Sequence, residues 1–310
     1  MRKLILKLIM LLVIALGLFM IPEYLSMKAS TVDVATKITN SEDFNEATGG
    51  IASICPSIER ARDKDDANVL VIGDSIAGQM FNGLDDPACG IKVCCTNAAI
   101  NITGQYMIAM EFLDSHPEAT DIWLYMHPLT LIRDYDLEMC YFYGVMPFVN
   151  SGSIHYLDDV TIKEMSSVYG SYALNREFVL LIDKSPLNRK LFFGYLRING
   201  KEFDRLNVYE TSSMYIEKLA MECQLRGVNF HFYSSPSTEY FRNRIEETRS
   251  DFEKSHLSEM YPTFLDDIYY FPTEWSEDMT HFGGDYANRE TYDGVINEAY
   301  DEIFMDFKEG

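Results

Sequence analysis

The sequence has few basic residues for its length. Lysine and arginine together number 26, against 48 aspartates and glutamates, and the formal net charge is −22. A surface with this balance repels a phosphate backbone, so we exclude nucleic acid as a partner. The same repulsion argues against a chain that lies flat on anionic lipid. A neutral or cationic partner, or a glycan, fits this charge better.

The spacings that hold nucleotides or metals are also missing. The chain contains no Gly-rich phosphate-binding loop, and no second cysteine or histidine pair matches the spacing of a zinc site. We therefore expect no cofactor and no metal. The cysteines form an even set, which permits disulfides outside the cytoplasm in a pairing that the sequence does not determine. Buried free thiols are the alternative for these residues, which are Cys55, Cys89, Cys94, Cys95, Cys140 and Cys223.

Only the N-terminus carries a long apolar run. Residues 4–21 are apolar except for Lys7 and Gly17, and two basic residues precede them. Basic residues before an apolar stretch predict export with the N-terminus inside. We predict that residues 1–29 are an uncleaved signal anchor, with a removed signal peptide as the alternative. The expected protein is therefore single-pass in the cell membrane with an extracytoplasmic C-terminal domain, or else secreted.

The rest of the chain alternates between strand and helix patterns. Residues 30–67 are polar and charged, and we interpret them as a linker. From residue 68 to residue 310, short apolar runs alternate with segments of helical periodicity, which predicts an α/β domain with a mostly parallel sheet. The predicted strands cover residues 69–72, 91–96, 122–126, 228–233 and 268–271, and the predicted helices include 105–113, 211–225, 240–260 and 288–307.

Residues 134–208 interrupt this alternation. They are rich in tyrosine, phenylalanine, asparagine and glycine. We predict an insertion or cap over the carboxyl edge of the sheet, where α/β proteins bind ligands. The alternative is a surface elaboration without a functional contact.

The first predicted strand runs into Gly73, Asp74 and Ser75. Glycine permits a tight turn, and the two polar residues are natural helix caps. A strand, a turn and a helix place the Ser75 hydroxyl at the carboxyl end of the sheet, beside a helix N-terminus that favours negative charge. A nucleophilic serine and its oxyanion need such a position. Helix capping alone is the alternative explanation.

A second motif, Asp278-Met-Thr-His281, lies between the last predicted strand and the last predicted helix. A parallel sheet would bring this loop to the same edge as Ser75. A serine needs a base to take its proton, and the base needs an orienting carboxylate. We predict Ser75 as the nucleophile, His281 as the base and Asp278 as the orienting acid.

The two motifs, with an α/β sheet between them, resemble the SGNH (GDSL-type) hydrolase superfamily over roughly residues 68–133 and 209–307. The resemblance implies a flavodoxin-like three-layer α/β/α fold. With its predicted anchor, the chain looks most like the membrane-tethered bacterial branch. Those proteins add or remove acyl groups, often acetyl, on cell-surface polysaccharides or teichoic acids.

The resemblance also implies donors for the oxyanion. The backbone N–H of Ser75 matches one of them. The family's second block offers a glycine N–H; the corresponding stretch here is residues 97–104, where the donor is left open and Ala99 is the candidate. The third block carries an asparagine at the end of a strand. His127 stands in that place, either as an imidazole N–H donor or as a structural histidine.

The expected function is that of an extracytoplasmic serine esterase or O-acyltransferase acting on acyl esters, in particular acetyl esters, of cell-surface carbohydrate. Its expected partners are an acylated polysaccharide or other cell-envelope glycan, the membrane through the N-terminal helix, and a membrane acyltransferase. The departures at Ala99 and His127 leave a second hypothesis, a non-catalytic glycan-binding or assembly protein with a degenerate SGNH fold.

Overall fold

The structure is a computed structural model of the chain. Two sequence predictions lie outside the residues that it describes, the helix over residues 288–307 and the donor Ala99. The described residues are 4–14, 54–97, 100–132, 135, 140–184, 188–189, 191–192, 194, 208, 210–276 and 278–283.

The helices are labelled in chain order. Those predicted over residues 105–113 and 211–225 are confirmed as α4 and α9. The bounds are α1 (4–14), α2 (54–62), α3 (Ser75–Phe81), α4 (Ile102–Ser115), α5 (Pro128–Leu131), α6 (Met146–Ser151), α7 (Asp159–Tyr169), α8 (Arg176–Lys184), α9 (Glu210–Arg226), α10 (Arg242–Phe252) and α11 (His256–Met260).

A four-stranded parallel sheet forms the centre of the fold and confirms the predicted α/β class. Its strand order is β2-β1-β3-β4. All three strand pairs are parallel, so the four carboxyl ends meet at one edge. The strands are β1 (Val69–Gly73), β2 (Ile91–Val93), β3 (Asp121–Met126) and β4 (Asn229–Ser234).

Both faces of strand β1 are buried. Leu70 and Ile72 enter a large hydrophobic cluster that includes residues of α4 and α9, whereas Val69 and Val71 enter a smaller cluster with residues of α3. Burial on both faces explains why this strand is apolar at every position before its glycine. Helices on either side of the sheet are compatible with three layers.

The predicted anchor is described only in part. Residues 4–14 form helix α1, and its large apolar side chains are exposed. Within the described residues, no helix combines the length and the apolar character that crossing a membrane requires. The anchor therefore stays a prediction.

The fold begins before residue 68, so the linker prediction for residues 30–67 is wrong in its last part. Helix α2 lies inside that range, and Ile54, Ile58 and Ala61 are fully buried in the large cluster. Their spacing of four and three residues places them on one face of a helix. Because a charged run begins directly after Ile58, the apolar face is hard to recognise in the sequence.

The described part of residues 134–208 is integrated into the domain. Their described part contains α6, α7, α8 and a π-helical turn at Cys140–Val145, and no strand. Tyr141, Phe148 and Met165 are buried in the same large cluster as α4. The described part of the segment therefore contributes to the core on that face of the sheet. Its predicted position as a cap over the carboxyl edge stays a prediction.

Two predictions near the C-terminus need correction. The strand expected at residues 268–271 does not join the main sheet: β6 (Tyr270–Phe271) pairs with β5 (Ser237–Thr238) in a separate two-stranded sheet. The single helix expected over residues 240–260 is divided into α10 and α11. Between them the Ser255 hydroxyl donates to the carbonyl oxygen of Phe252 (2.6 Å), a local hydrogen bond of the kind that competes with a continuous helix.

Candidate active site

Gly73 is required where β1 passes into α3. A Cβ at this position would lie 2.2 Å from the carbonyl oxygen of Tyr125 in the neighbouring strand β3. Such a contact is impossible for any side chain, so glycine is needed because the two backbones approach closely. From the sequence, we expected that Gly73 is needed for its conformational freedom in a turn. The structure shows that it is needed because a Cβ has no space.

Asp74 is fully buried and connects the ends of three strands. Its Oδ1 accepts hydrogen bonds from the N–H groups of Ile76 and Ala77 (both 3.0 Å) and from the Ser235 hydroxyl (3.1 Å). Its Oδ2 accepts from the N–H of His127 (2.6 Å). Burial raises the pKa of this carboxyl, and the hydrogen bonds act in the opposite direction. Asp74 thus caps α3, as predicted, and also fixes the carboxyl edge of the sheet.

Ser75 and His281 are in hydrogen-bonding contact although 206 residues separate them in the chain. Ser75 Oγ lies 2.6 Å from Nε2 of His281. On the other side of the ring, Nδ1 lies 2.6 Å from Oδ2 of Asp278. Because a carboxylate only accepts, Nδ1 carries the ring proton and Nε2 accepts the proton of the serine hydroxyl. This is the arrangement of a nucleophile, a general base and an orienting acid.

Asp278 is held as a carboxylate by its own loop. Its Oδ1 accepts from the backbone N–H groups of Thr280 (2.9 Å) and His281 (2.8 Å). Partial burial alone would raise the pKa of Asp278, but these bonds and the bond from the His281 ring outweigh it and lower the pKa to about 2. The group is therefore ionised at neutral pH, as an acid that stabilises an imidazolium must be.

The backbone between Asp278 and His281 is strained. Met279 has a φ of 68°, and it is the one non-glycine residue with positive φ within the described part of the chain. In this left-handed region of backbone conformation, a residue with a side chain costs free energy, and such strain is often found in functional loops. The carbonyl oxygen of Met279 accepts from the buried Thr238 hydroxyl at 2.6 Å. Strand β5 thus supports the loop that presents the histidine.

His127 lies at the end of β3, where an oxyanion donor was expected. Its Nδ1 accepts from the N–H of Leu129 (3.3 Å), so the ring proton is on Nε2. Nε2 lies 2.9 Å from the Ser237 hydroxyl and donates to it. To bind an oxyanion, this N–H would have to leave Ser237. The hydrogen bonding therefore favours the alternative of a structural histidine.

The triad is open to solvent. The side chains of His281 and Asp278 are 36% and 55% exposed. A cavity of about 230 Å³ lies elsewhere, between strand β4 and residues 260–267, and none of the three triad residues lines it. The triad therefore lies at an accessible surface of the domain.

Sequence reasoning missed the polar residues that support the site. Ser235, Ser237 and Thr238 are buried, and their hydroxyls contact Asp74, His127 and the 278–281 loop respectively. They follow β4 directly, and polar residues after a parallel strand lie at the edge where α/β proteins bind ligands. That rule could have identified them.

Comparison with protein-family models, with curated proteins and with solved structures finds no match to this chain. Within the described residues, no cluster of three histidine, cysteine or acidic side chains is arranged to hold a metal ion. The six cysteines are free thiols. Of the two alternatives that the sequence left open, disulfides and free thiols, the structure therefore has free thiols.

Proposed function

We propose that the chain is a serine-dependent acyl-transfer enzyme of the SGNH type, an esterase or O-acyltransferase. The observation that carries the proposal is the continuous chain of contacts from Ser75 Oγ to His281 and on to Asp278, with 2.6 Å at each step. Two motifs that are weak separately form this contact at the carboxyl edge of a parallel sheet. Helix capping alone would not require a histidine at the serine hydroxyl.

In the proposed reaction, Ser75 Oγ attacks the carbonyl carbon of an ester while Nε2 of His281 takes the hydroxyl proton. Asp278 stabilises the imidazolium that forms, and the backbone N–H of Ser75 is one donor to the oxyanion. The tetrahedral intermediate then breaks its bond to the leaving alcohol, which receives the proton from His281. The acyl group remains on Ser75.

The second half returns the enzyme to its first state. Water or a sugar hydroxyl attacks the acyl-enzyme and gives its proton to His281, which passes it to the departing Ser75 oxygen. Water as acceptor gives an esterase, and a sugar hydroxyl gives an O-acyltransferase. The two activities differ only in the acceptor.

The proposed substrate is an acylated cell-envelope glycan, in particular an acetylated one. An exposed triad can reach esters on a polymer that would not enter a closed pocket. The net charge of −22 is suited to a neutral or cationic glycan. With the predicted anchor, the domain would work outside the cytoplasmic membrane, and a membrane acyltransferase would supply the acyl donor in the transferase case.

A fluorophosphonate probe tests the proposal. Attack by Ser75 Oγ on phosphorus displaces fluoride and leaves a covalent adduct, while His281 takes the proton. We expect labelling of the wild type and of the control Ser167→Ala, whose serine is exposed on α7. Ser75→Ala should not be labelled, and His281→Gln should be labelled far more slowly. Equal labelling of Ser75→Ala and wild type would exclude the proposal.

A second candidate is a non-catalytic glycan-binding or assembly protein with a degenerate SGNH fold. The observation that favours it is the bond from His127 to Ser237, which occupies the expected third-block donor. This candidate predicts glycan binding of equal affinity in wild type and Ser75→Ala, with no acyl release by either. Acetate release that depends on Ser75 would exclude it.

A further inference from the structure

Gln79 joins the helix of the nucleophile to the loop of the base. It lies on α3, one helical turn after Ser75, and its side chain is half-buried. Its Nε2 donates to the carbonyl oxygen of Phe282 at 2.8 Å, and its Oε1 accepts from the N–H of Phe282 at 3.0 Å. Phe282 follows His281 directly. The Gln79 side chain therefore binds both the N–H and the carbonyl oxygen of the residue next to the base.

Only a carboxamide of this length provides both bonds. It presents a donor and an acceptor side by side, as a neighbouring strand would. A glutamate at neutral pH would accept but not donate, a methionine would keep the length and lose both bonds, and an asparagine would be one methylene too short. The bonds thus depend on the identity of Gln79 and not on its bulk.

The loop is fixed on both sides of His281. On one side the Thr238 hydroxyl holds the Met279 carbonyl oxygen at 2.6 Å, and on the other Gln79 holds Phe282. The Phe282 ring also stacks on Phe271 of β6, with the centroids 4.1 Å apart. Of these supports, Gln79 alone comes from the helix that carries Ser75.

We propose that Gln79 is a positioning residue that sets the register between Ser75 and His281. Since the amide and the nucleophile are on one helix, any shift of α3 moves both, and the loop follows through Phe282. The distance from Ser75 Oγ to Nε2 is thereby maintained. This inference rests on the proposed function, but the hydrogen bonds themselves exist whether or not the site turns over.

The test compares wild type with Gln79→Met and Gln79→Ala. Misplacement of a reacting group by about 1 Å costs on the order of 100-fold in rate, so we expect fluorophosphonate labelling to slow by about 10- to 100-fold. The loss should lie in the maximal rate and not in the concentration for half-maximal labelling, because Gln79 does not touch the probe. The labelling rate should fall by similar factors in the two variants, because both lose the two hydrogen bonds to Phe282. Met keeps the bulk of the side chain and Ala removes it, so a similar loss shows that the bulk is not what matters. Gln224→Met, the same change at an exposed position of α9, should label like wild type.

Two readouts do not depend on catalysis. The low-field proton resonance of His281 Nδ1–H, assigned by its loss in His281→Gln, should weaken in both Gln79 variants. In the wild type, the Phe282 amide should exchange slowly with solvent, because it donates to Gln79. This second measurement needs no variant and covers the case in which the variants do not fold.

The outcomes separate the two proposals. Slower labelling with a weakened Nδ1–H resonance supports the positioning role. If the wild type is not labelled, the proposed function fails, and the resonance and the exchange rate still decide about Gln79. Wild-type labelling rates and an unchanged resonance in both variants, or rapid exchange of the Phe282 amide, would overturn the inference.

Discussion

Replacement of Asp278 by asparagine tests the triad through the tautomer of His281. Oδ1 of Asp278 accepts the backbone N–H groups of Thr280 (2.9 Å) and His281 (2.8 Å). In the variant, the amide oxygen must take this place, because an NH₂ group there would face two donors. The NH₂ group then faces Nδ1, which becomes the acceptor, and the ring proton moves to Nε2.

A histidine that carries its proton on Nε2 cannot accept the proton of Ser75. In the general serine-hydrolase triad, this tautomer change lowers kcat about 10⁴-fold with the geometry intact. Here the Asp278 side chain is 55% exposed, so water can replace part of the lost interaction. We therefore expect a loss of about 10³-fold in Asp278→Asn.

The assay is the hydrolysis rate of an activated acetyl ester, measured together with the rate of fluorophosphonate labelling. Asp159→Asn, at the exposed start of α7, is the matched control and should keep the wild-type rate. Thermal unfolding verifies that both variants are folded. A wild-type rate in Asp278→Asn would refute the reasoning, since it would mean that Asp278 does not set the tautomer.

Three further predictions concern stability. The pKa of Asp278 is lowered from 3.8 to about 2, so its ionised form stabilises the fold fully above about pH 4, and this contribution is lost as the pH falls to about 2. For a half-exposed group we expect less than about 1 kcal/mol, read as a gap in unfolding free energy between wild type and Asp278→Asn that closes at acid pH; a gap constant with pH would contradict this. Gly73→Ala puts a Cβ 2.2 Å from a backbone oxygen and should destabilise by about 3 kcal/mol or prevent folding; an unchanged melting temperature would contradict the steric reason. Ile58→Ala removes a fully buried side chain from α2 and should cost about 2–4 kcal/mol in denaturant unfolding, whereas a linker residue would cost nothing.

The centre of the sheet could be predicted because strand β1 is buried on both faces. Val69 to Ile72 are apolar at every position, and the burial of this segment is complete. The contact between Ser75 and His281 across 206 residues was also predicted, from a rule of parallel topology that holds for only one of the two motifs. Ser75 follows β1 at the carboxyl edge of the main sheet, whereas His281 reaches it from a loop after β6, which lies in the separate two-stranded sheet. The class of fold thus followed from local patterns, and the proposed triad followed from two motifs although the strand before the second one lies outside the main sheet.

Other elements left no such pattern. Strand β5 has two residues, too few for an alternation to be visible. In α2, a charged run begins directly after Ile58, and this polar pattern predicts a linker instead of a helix. These elements are stabilised by their tertiary contacts, and a local sequence pattern does not reveal such contacts.

The supports of the triad are the least predictable part. Gln79 and Thr238 act through hydrogen bonds from a side chain to the backbone of a distant loop. Such bonds depend on the three-dimensional position of a carbonyl or an N–H group and require no particular residue type in the loop. They can be found only after the fold has placed the loop beside them.

The central claim, that Ser75 is a nucleophile activated by His281, can be tested by trapping the acyl-enzyme. Wild type and His281→Gln are mixed with an activated acetyl ester, quenched at short times and mapped by peptide mass. We expect an acetyl group on Ser75 in the wild type that appears and then declines, and little or none in His281→Gln at the same times. Acetylation of Ser75 at equal rates in both proteins, or none on Ser75 in the wild type, would contradict the claim.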